Sequence, residues 1–309
     1  MLISICIPTY RQLPILFNLL KTIDFQTFRD FEVIISDDSP DDELEQAILS
    51  ANWTFPIRYY RNNPAKGSPQ NWNHVISLAQ GEWIKIMHHD DWFYDADSLK
   101  YFAEAISQNP ETDFFFCQSW VSNGKKNEDY IYRPNSDKLR NVSKFPADLF
   151  EANLIGAPSA TMYKKTMKLQ YDSKLMWLVD IEFFCRVIQA YKIQPIERGL
   201  IVTSEFQAHQ LTYTLRDNKA TEIREYLYCY EQLCGIFNPV NRAILRRRII
   251  HLFLQFEVKS IKEIRDAGYI GRIPGFVRLY TSLMNFNAGL AQKVIGKWTY
   301  LQLKHYDYN

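Results

Sequence analysis

No stretch of this chain approaches the roughly 18 apolar residues a membrane-crossing helix requires, so no spanning segment is expected. The N-terminal run Met1-Leu2-Ile3-Ser4-Ile5-Cys6-Ile7-Pro8 lacks a basic lead-in and a cleavage site, and reads as a first strand, not a signal peptide. Excess charge of one sign is also missing. Lys and Arg total 36 against 35 Asp and Glu, a formal net charge of +1, which gives no reason to expect nucleic acid as a partner. Paired cysteines are absent: Cys6, Cys117, Cys185, Cys229 and Cys234 are scattered without a Cys-x-x-Cys, as in a cytosolic protein with reduced, buried thiols. No Gly-x-Gly-x-x-Gly follows the first strand, which argues against a dinucleotide-dependent dehydrogenase. No internal repeat or low-complexity tract is evident.

What is present is an ordinary globular composition, 47% hydrophobic and 23% charged over 309 residues, enough for one large domain or two smaller ones. Aromatics are plentiful, with 20 Phe, 19 Tyr and 7 Trp. The first half alternates strand-like and helical patterns. Strands are expected at residues 1–8, 31–36, 57–60, 83–87, 113–117 and 160–163. Between them, Leu16, Leu19, Leu20 and Ile23 mark one helix face behind Pro14, Asp41, Asp42 and Glu43 open a second helix, and further helices fit 72–79, 98–107 and 180–190. This alternation implies an α/β fold with a mostly parallel sheet covered on both faces. Residues 122–143 are polar and read as a surface loop or hairpin, and beyond about Tyr213 the chain turns helical, Tyr-rich and Arg-rich.

Two carboxylate pairs stand at the ends of apolar runs. Asp37-Asp38 follows Phe31-Glu32-Val33-Ile34-Ile35-Ser36, and Asp90-Asp91 follows Glu82-Trp83-Ile84-Lys85-Ile86-Met87. Adjacent carboxylates repel, so a core strand has no use for them. At the carboxyl edge of a parallel sheet they can meet a divalent cation and a phosphorylated ligand. Turn and helix-capping roles are the competing reading for each pair taken singly.

Ile7-Pro8-Thr9-Tyr10, then Ile35-Ser36-Asp37-Asp38-Ser39, then Gly81-Glu82-Trp83-Ile84 with Asp90-Asp91 occur in an order that resembles family 2 glycosyltransferases. The resemblance covers about residues 1–215. It implies a GT-A type nucleotide-binding fold, a nucleotide-sugar donor and transfer with inversion. Three departures stand out: Ser-Asp-Asp-Ser-Pro where Val-Asp-Asp-Gly-Ser is usual, His88-His89 ahead of the aspartates, and Val179-Asp180 where Glu-Asp is usual.

Tyr10 offers a ring to a nucleotide base and Asp38 can accept the imide N–H of a uracil- or thymine-type base, favouring UDP- or dTDP-sugars. By resemblance, Pro8 and Thr9 line the same cleft, with Asp37 beside it. Gly67-Ser68-Pro69-Gln70-Asn71-Trp72-Asn73 matches the segment that closes over the nucleotide, with Gly67 allowing close backbone approach and Asn73 matching the usual Asn of the next helix. Helix capping is the alternative role for Asn71 or Asn73. A diphosphate leaving group calls for Mn2+ or Mg2+. By resemblance Asp91 binds that ion, Asp90 contacts ribose or a metal-bound water, and His209 faces the metal or diphosphate. His88 and His89, as strand neighbours, would point to opposite faces and so not ligate together. Asp180 matches the base that takes the acceptor hydroxyl's proton, with helix capping as its alternative.

The expected organisation is therefore a catalytic domain over 1–215 and a helical C-terminal region over 216–309. There Arg242, Arg246, Arg247 and Arg248 lie beside Ile249, Ile250, Leu252, Phe253 and Leu254. A solvated amphipathic helix is the plain reading, and peripheral contact with an anionic membrane the sharper one. The acceptor implied is a glycan or lipid-linked glycan of a cell-surface polysaccharide, handled in the cytoplasm or at the inner membrane face. A nucleotidyltransferase on a related fold is disfavoured, because Pro8-Thr9-Tyr10-Arg11-Gln12 lacks a glycine-rich basic turn. A nucleotide-sugar-binding module without turnover is the non-enzymatic alternative.

Overall fold

The structure is a computed structural model that describes residues 1–122, 129–134, 136–204, 215 and 217–286. They fall into two compact units. The first comprises Met1–Pro134, Ile155–Phe183 and Ala190–Ala208, and the second Asn135–Leu154, Phe184–Gln189 and His209–Asn309.

The first unit is built on a sheet whose opening half is parallel. Its strands are β1 (Ile3–Thr9), β2 (Phe31–Asp37), β3 (Ile57–Arg61) and β4 (Trp83–Ile86), in the spatial order β3-β2-β1-β4. Every residue of β1, β2 and β4 is buried, as expected of strands covered on both faces. The crossovers are α1 (Leu13–Asp24), α2 (Glu43–Ser50) and α3 (Gln70–Ser77). In α1 the four residues with helical spacing, Leu16, Leu19, Leu20 and Ile23, are all fully buried, and Pro14 sits in the first turn. Each such side chain contributes about 1.5–3 kcal/mol on burial, so Leu20→Ala would cost roughly 2–5 kcal/mol.

Beyond β4 the sheet is mixed. The strands β5 (Trp92–Phe93), β6 (Phe114–Ser122), β7 (Tyr130–Tyr132), β8 (Thr161–Lys164) and β9 (Ile193–Ser204) complete it, with α4 (Ser98–Gln108) on the chain between β5 and β6 and the short α5 (Ser136–Arg140) after β7. β8 runs antiparallel between β4 and β6, β9 lies parallel to β6, and β5 pairs antiparallel with β9. Within the polar stretch expected as a loop or hairpin, β7 pairs antiparallel with β6. Neither β5 nor β9 was expected from the pattern. Pro195, Glu197, Arg198 and Gly199 break the alternation in β9, and the ladder with β6 shifts register between Cys117 and Ser119.

A buried carboxylate fastens the amino edge of the sheet. Glu32 accepts hydrogen bonds from the Ser4 hydroxyl (2.7 Å), the Gln80 amide (2.7 Å) and the Arg58 guanidinium (2.8 Å). Burial alone would raise its pKa, but these donors together hold it below the usual glutamate value. Gly81 completes the corner: a β-carbon there would lie 2.8 Å from the backbone of Ile3 and Ser4.

The second unit contains the helices Lys219–Leu233, Pro239–Gln255, Ile261–Asp266 and Gly275–Phe286. The first three begin at Asn218, Asn238 and Ser260, whose side chains accept the amides of Thr221, Asn241 and Glu263. Asn241 accepts the Ala147 amide (3.2 Å) and donates to the Lys144 carbonyl (3.1 Å), and Arg248 donates to the Phe150 carbonyl (3.1 Å). Residues 136–154 thus belong to the same compact unit as the C-terminal helices. The arginine cluster is largely engaged within this unit: Arg242 donates to the Cys234 carbonyl, Arg246 to the Arg242 carbonyl, and Arg247 pairs with Glu151. Among the described residues no helix is long and apolar enough to cross a membrane.

Candidate active site

The ends of β1, β2 and β4 lie at one edge of the sheet. Thr9 is in register with Asp37 and Cys6 with Ile86, while the Asp38 amide donates to the Thr9 carbonyl (3.0 Å) and the Met87 amide to the Cys6 carbonyl (2.9 Å). Pro8-Thr9-Tyr10, Asp37-Asp38 and the His88–Asp91 turn are therefore neighbours, at the place where open α/β sheets take ligands.

The two carboxylates of the first pair do different things. Asp37 is fully buried and accepts from the Ser39 amide (2.8 Å), the Ser39 hydroxyl (2.6 Å) and the Tyr59 hydroxyl (2.6 Å). Ser39 in turn accepts the Arg11 amide (2.7 Å), so Asp37 braces the Tyr10-Arg11 loop from behind. Asp38 accepts from the Asn62 amide group (2.8 Å) and from the backbone amides of Lys66 (3.0 Å) and Gly67 (2.8 Å). A carboxylate has about four acceptor positions, so one remains for a further donor. Both aspartates are buried, and donors at the strand end satisfy charges that a strand interior could not.

Tyr10 leaves half its surface exposed (50%), with the Arg11 guanidinium 5.2 Å from its ring centre. The Thr9 hydroxyl is buried and has no hydrogen-bond partner among the described residues. Gly67 adopts φ +74°, and a β-carbon there would meet nothing within 4 Å. Its backbone conformation, not crowding, calls for glycine, and the space beside it is open.

Neither asparagine caps α3, whose N-cap is Pro69. Asn71 donates to the Ser36 carbonyl (2.9 Å) and accepts from Asn62 (3.1 Å). Asn73 exchanges two hydrogen bonds with the backbone of Tyr171, each 2.8 Å.

The second pair sits in the turn after β4. A ring nitrogen of His88 and a carboxylate oxygen from each of Asp90 and Asp91 lie within 4.8 Å of one another, a grouping able to hold a metal ion. His89 is not part of it. Burial raises the pKa of Asp91 well above the ordinary value and the charge of Asp90 adds to this, offset in part by hydrogen bonds from the Ser159 hydroxyl and Ser204 amide and by the charge of Lys85. Ser159, in the 3-10 turn Pro158–Ala160 ahead of β8, also accepts the His88 amide (2.9 Å), and its carbonyl receives Lys85. Burial lowers Lys85 to about 8, so it stays largely charged at neutral pH, and lowers His88 to about 4, leaving that ring neutral. Asp90 accepts from the Ser204 hydroxyl (3.4 Å).

Asp180 stands in the first turn of α6 (Val179–Ala190), half-buried, its Oδ1 accepting the Ile181 amide (2.9 Å). One helical turn further, Phe183 stacks on Tyr171 (4.2 Å), Tyr171 meets Trp72 edge-on (5.2 Å), and Trp72 lies against His88 (4.4 Å). This row of rings connects the helix of Asp180 to the turn of Asp90 and Asp91. His209 lies outside the described residues.

Several residues here were not found from sequence. Lys85, a lysine inside the apolar run Trp83-Ile84-Lys85-Ile86-Met87, was a readable signal of a buried charge. Ser159, Asn62 and Ser204 carried none, because only the fold brings them to the aspartates.

The model of the family described as glycosyl transferase family 2 matches residues 4–184, more than half of the chain. The chain belongs to that family. As a family 2 glycosyltransferase it is 41% identical over 121 residues to the abequosyltransferase RfbV of Salmonella typhimurium, covering 38% of this chain and 35% of that protein. It spans 64% of the length of the first of its curated relatives. Among solved structures, Staphylococcus aureus TarS 1-349 in complex with UDP-GlcNAc superposes with TM-score 0.65 at 16% identity, covering 99% of this chain and 93% of that one. The mannosyltransferase PcManGT of Pyrobaculum calidifontis in complex with GDP-Man and Mn2+ gives TM-score 0.56 at 15% identity, covering 97% and 83%. At such identities the likeness is one of fold, the GT-A type expected from the motifs.

Proposed function

We propose that this family 2 glycosyltransferase moves a sugar, with inversion, from a UDP- or dTDP-linked donor to a hydroxyl of a glycan or lipid-linked glycan acceptor in polysaccharide synthesis. The observation that carries this reading is the single edge at which Thr9, Tyr10, Asp38, Asp90 and Asp91 meet, with the Gly67 loop tied to Asp38. Tyr10 stacks on the base, Asp38 spends its remaining acceptor position on the base's imide N–H, and Pro8 and Thr9 line the cleft. Asp37 and Asn73 act behind the surface, holding the Ser39 turn and Tyr171.

The residues present fit a divalent ion. Asp91 is a buried carboxylate beside Asp90, and the buried Nε2 of His88 lacks a hydrogen-bond partner among the described residues. Asp90, Asp91 and, by resemblance, His209 would hold Mn2+ or Mg2+, which supplies positive charge to the departing diphosphate. Asp180 takes the acceptor hydroxyl's proton as that oxygen bonds to the anomeric carbon and the carbon–oxygen bond to the β-phosphate breaks. The nucleoside diphosphate leaves from the opposite face. Such chemistry belongs where nucleotide sugars and reduced thiols coexist, so we assign it to the cytoplasm, with any membrane contact made through the second unit.

Calorimetric titration of UDP-, dTDP- and GDP-sugars with Mn2+, followed by donor hydrolysis with and without chelator, tests the reading. Uracil or thymine donors should bind most tightly and turnover should stop with chelator. Tightest binding of a GDP-sugar removes the base assignment, and binding without any turnover favours a non-catalytic module.

A further inference from the structure

We propose that His88 is a nitrogen ligand of the metal centre, so that the site selects a transition-metal ion over Mg2+. The inference rests on the metal reading above and adds to it a ligand and a selectivity. Three observations support it. One ring nitrogen of His88 lies within 4.8 Å of carboxylate oxygens of both Asp90 and Asp91. The Nε2 atom is shut off from solvent with no hydrogen-bond partner among the described residues, an arrangement that leaves a polar atom's lone pair or proton uncompensated unless a ligand answers it. And the residue is placed from two sides, its ring lying against Trp72 at 4.4 Å and its backbone amide donating to the Ser159 hydroxyl at 2.9 Å, as befits a ligand set in advance.

The chemistry of the donor set decides the selectivity. Carboxylates and water suit Mg2+ and Mn2+ alike, but an imidazole nitrogen favours the first-row transition ions, with affinity rising from Mn2+ through Co2+. A strand turn offering only oxygen would not discriminate in this way. The His89 ring is not in the cluster. The two adjacent histidines thus have separate fates because the strand ends at Ile86 and the turn beyond it brings only the first of them to the aspartates.

Pulsed electron paramagnetic resonance of the full chain with Mn2+ and UDP reads the ligand directly, without reference to activity. The expected result is a nitrogen modulation on the Mn2+ signal that changes when the protein carries isotope-labelled histidine, persists in His209→Gln and disappears in His88→Gln. Calorimetry on His88→Asp, which replaces nitrogen by oxygen, should lower the ratio of the Mg2+ to the Mn2+ dissociation constant by about tenfold or more, the scale on which even an outer partner of a ligand alters affinity. Bound Mn2+ without histidine modulation in the wild-type protein overturns the inference while leaving the metal reading intact. Modulation that survives His88→Gln overturns it too. Failure of Mn2+ to bind at all, with UDP present, overturns the metal reading itself.

Discussion

Asn73 and Tyr171 are joined by a pair of reciprocal hydrogen bonds, the side-chain amide donating to the Tyr171 carbonyl and accepting its N–H, both at 2.8 Å. Nearly a hundred residues separate them in sequence. The pair fixes the segment after β8 against α3, and Tyr171 passes that constraint on by stacking against Phe183, one turn beyond Asp180. The residue that the motif assigns to nucleotide binding therefore positions the element that carries the proposed base.

Asn73→Ala is accordingly expected to affect more than donor affinity. It leaves a backbone N–H and carbonyl of Tyr171 unanswered, at about 1–3 kcal/mol for each buried group. We expect a lowered melting temperature together with a fall in kcat that exceeds the rise in donor KM. A pure loss of donor affinity, with kcat and melting temperature unchanged, would show that Asn73 acts only on the nucleotide.

The three hydrogen bonds already made by Asp38 shape the next prediction. Removing this carboxylate would release Asn62 and the Lys66-Gly67 backbone as well, so Asp38→Ala weakens binding for two reasons at once. Changing the ligand separates them. N3-methyl-UDP lacks the imide proton and should bind more weakly than UDP by about 1.5–3 kcal/mol, the usual worth of a hydrogen bond to a charged group. Equal affinities in competition calorimetry would take Asp38 away from the base edge.

Glu32 gives a pH prediction at the opposite edge of the sheet. Its pKa is lowered in the folded state: burial opposes ionisation, but Ser4, Arg58 and the Gln80 amide outweigh it. A depressed carboxylate stabilises the fold above its unfolded pKa, near 4.3 for glutamate, and that contribution is lost as pH falls through the folded value. Glu32→Gln should therefore be less stable than wild type at pH 7, by a margin of about 1.5–3 kcal/mol in denaturant unfolding. The margin should narrow on acidification below the ordinary glutamate range. A margin that stays constant with pH would mean that packing, not charge, is what the substitution disturbs.

The first half of the fold was legible because its signals are local. Largely apolar strands, the Leu16–Ile23 stripe and the turn-rich segment before α3 each declare themselves within a dozen residues, and the parallel pairing of β1 to β4 is what their alternation implies. β9 was not legible, since Pro195 and Gly199 sit in a strand whose partner, β6, is itself out of step at Gln118. The site divided in the same way. Asp37, Asp38, Asp90 and Asp91 stand at strand ends that the pattern exposes. By contrast, Ser159 reaches Asp91 only because β8 inserts antiparallel beside β4, a pairing between segments some 80 residues apart that no local period encodes. Within the pairs, sequence could not tell the bracing role of Asp37 from the more open position of Asp38, because the difference lies in Ser39 and Tyr59 on one side and the Gly67 loop on the other.

The proposed reaction type depends on Asp180. Its Oδ1 accepts the amide of the next residue, Ile181, at 2.9 Å, so a structural contribution to the first turn of α6 is built in and a base assignment has to be separated from it. Asp180→Asn makes the separation, because an asparagine oxygen can accept that same amide and supports a helix start about as well as aspartate. A base cannot be replaced so. We expect the variant to retain the melting temperature and the donor affinity of the wild type, since the proposed donor contacts are Tyr10, Asp38 and the carboxylates after β4. Transfer to acceptor should fall by roughly 10²–10⁴-fold, the range of general acid–base catalysis. Rapid transfer by Asp180→Asn with a competent acceptor would leave the residue a structural one. The proton acceptor would then have to be sought elsewhere along the edge that the row from His88 to Phe183 defines.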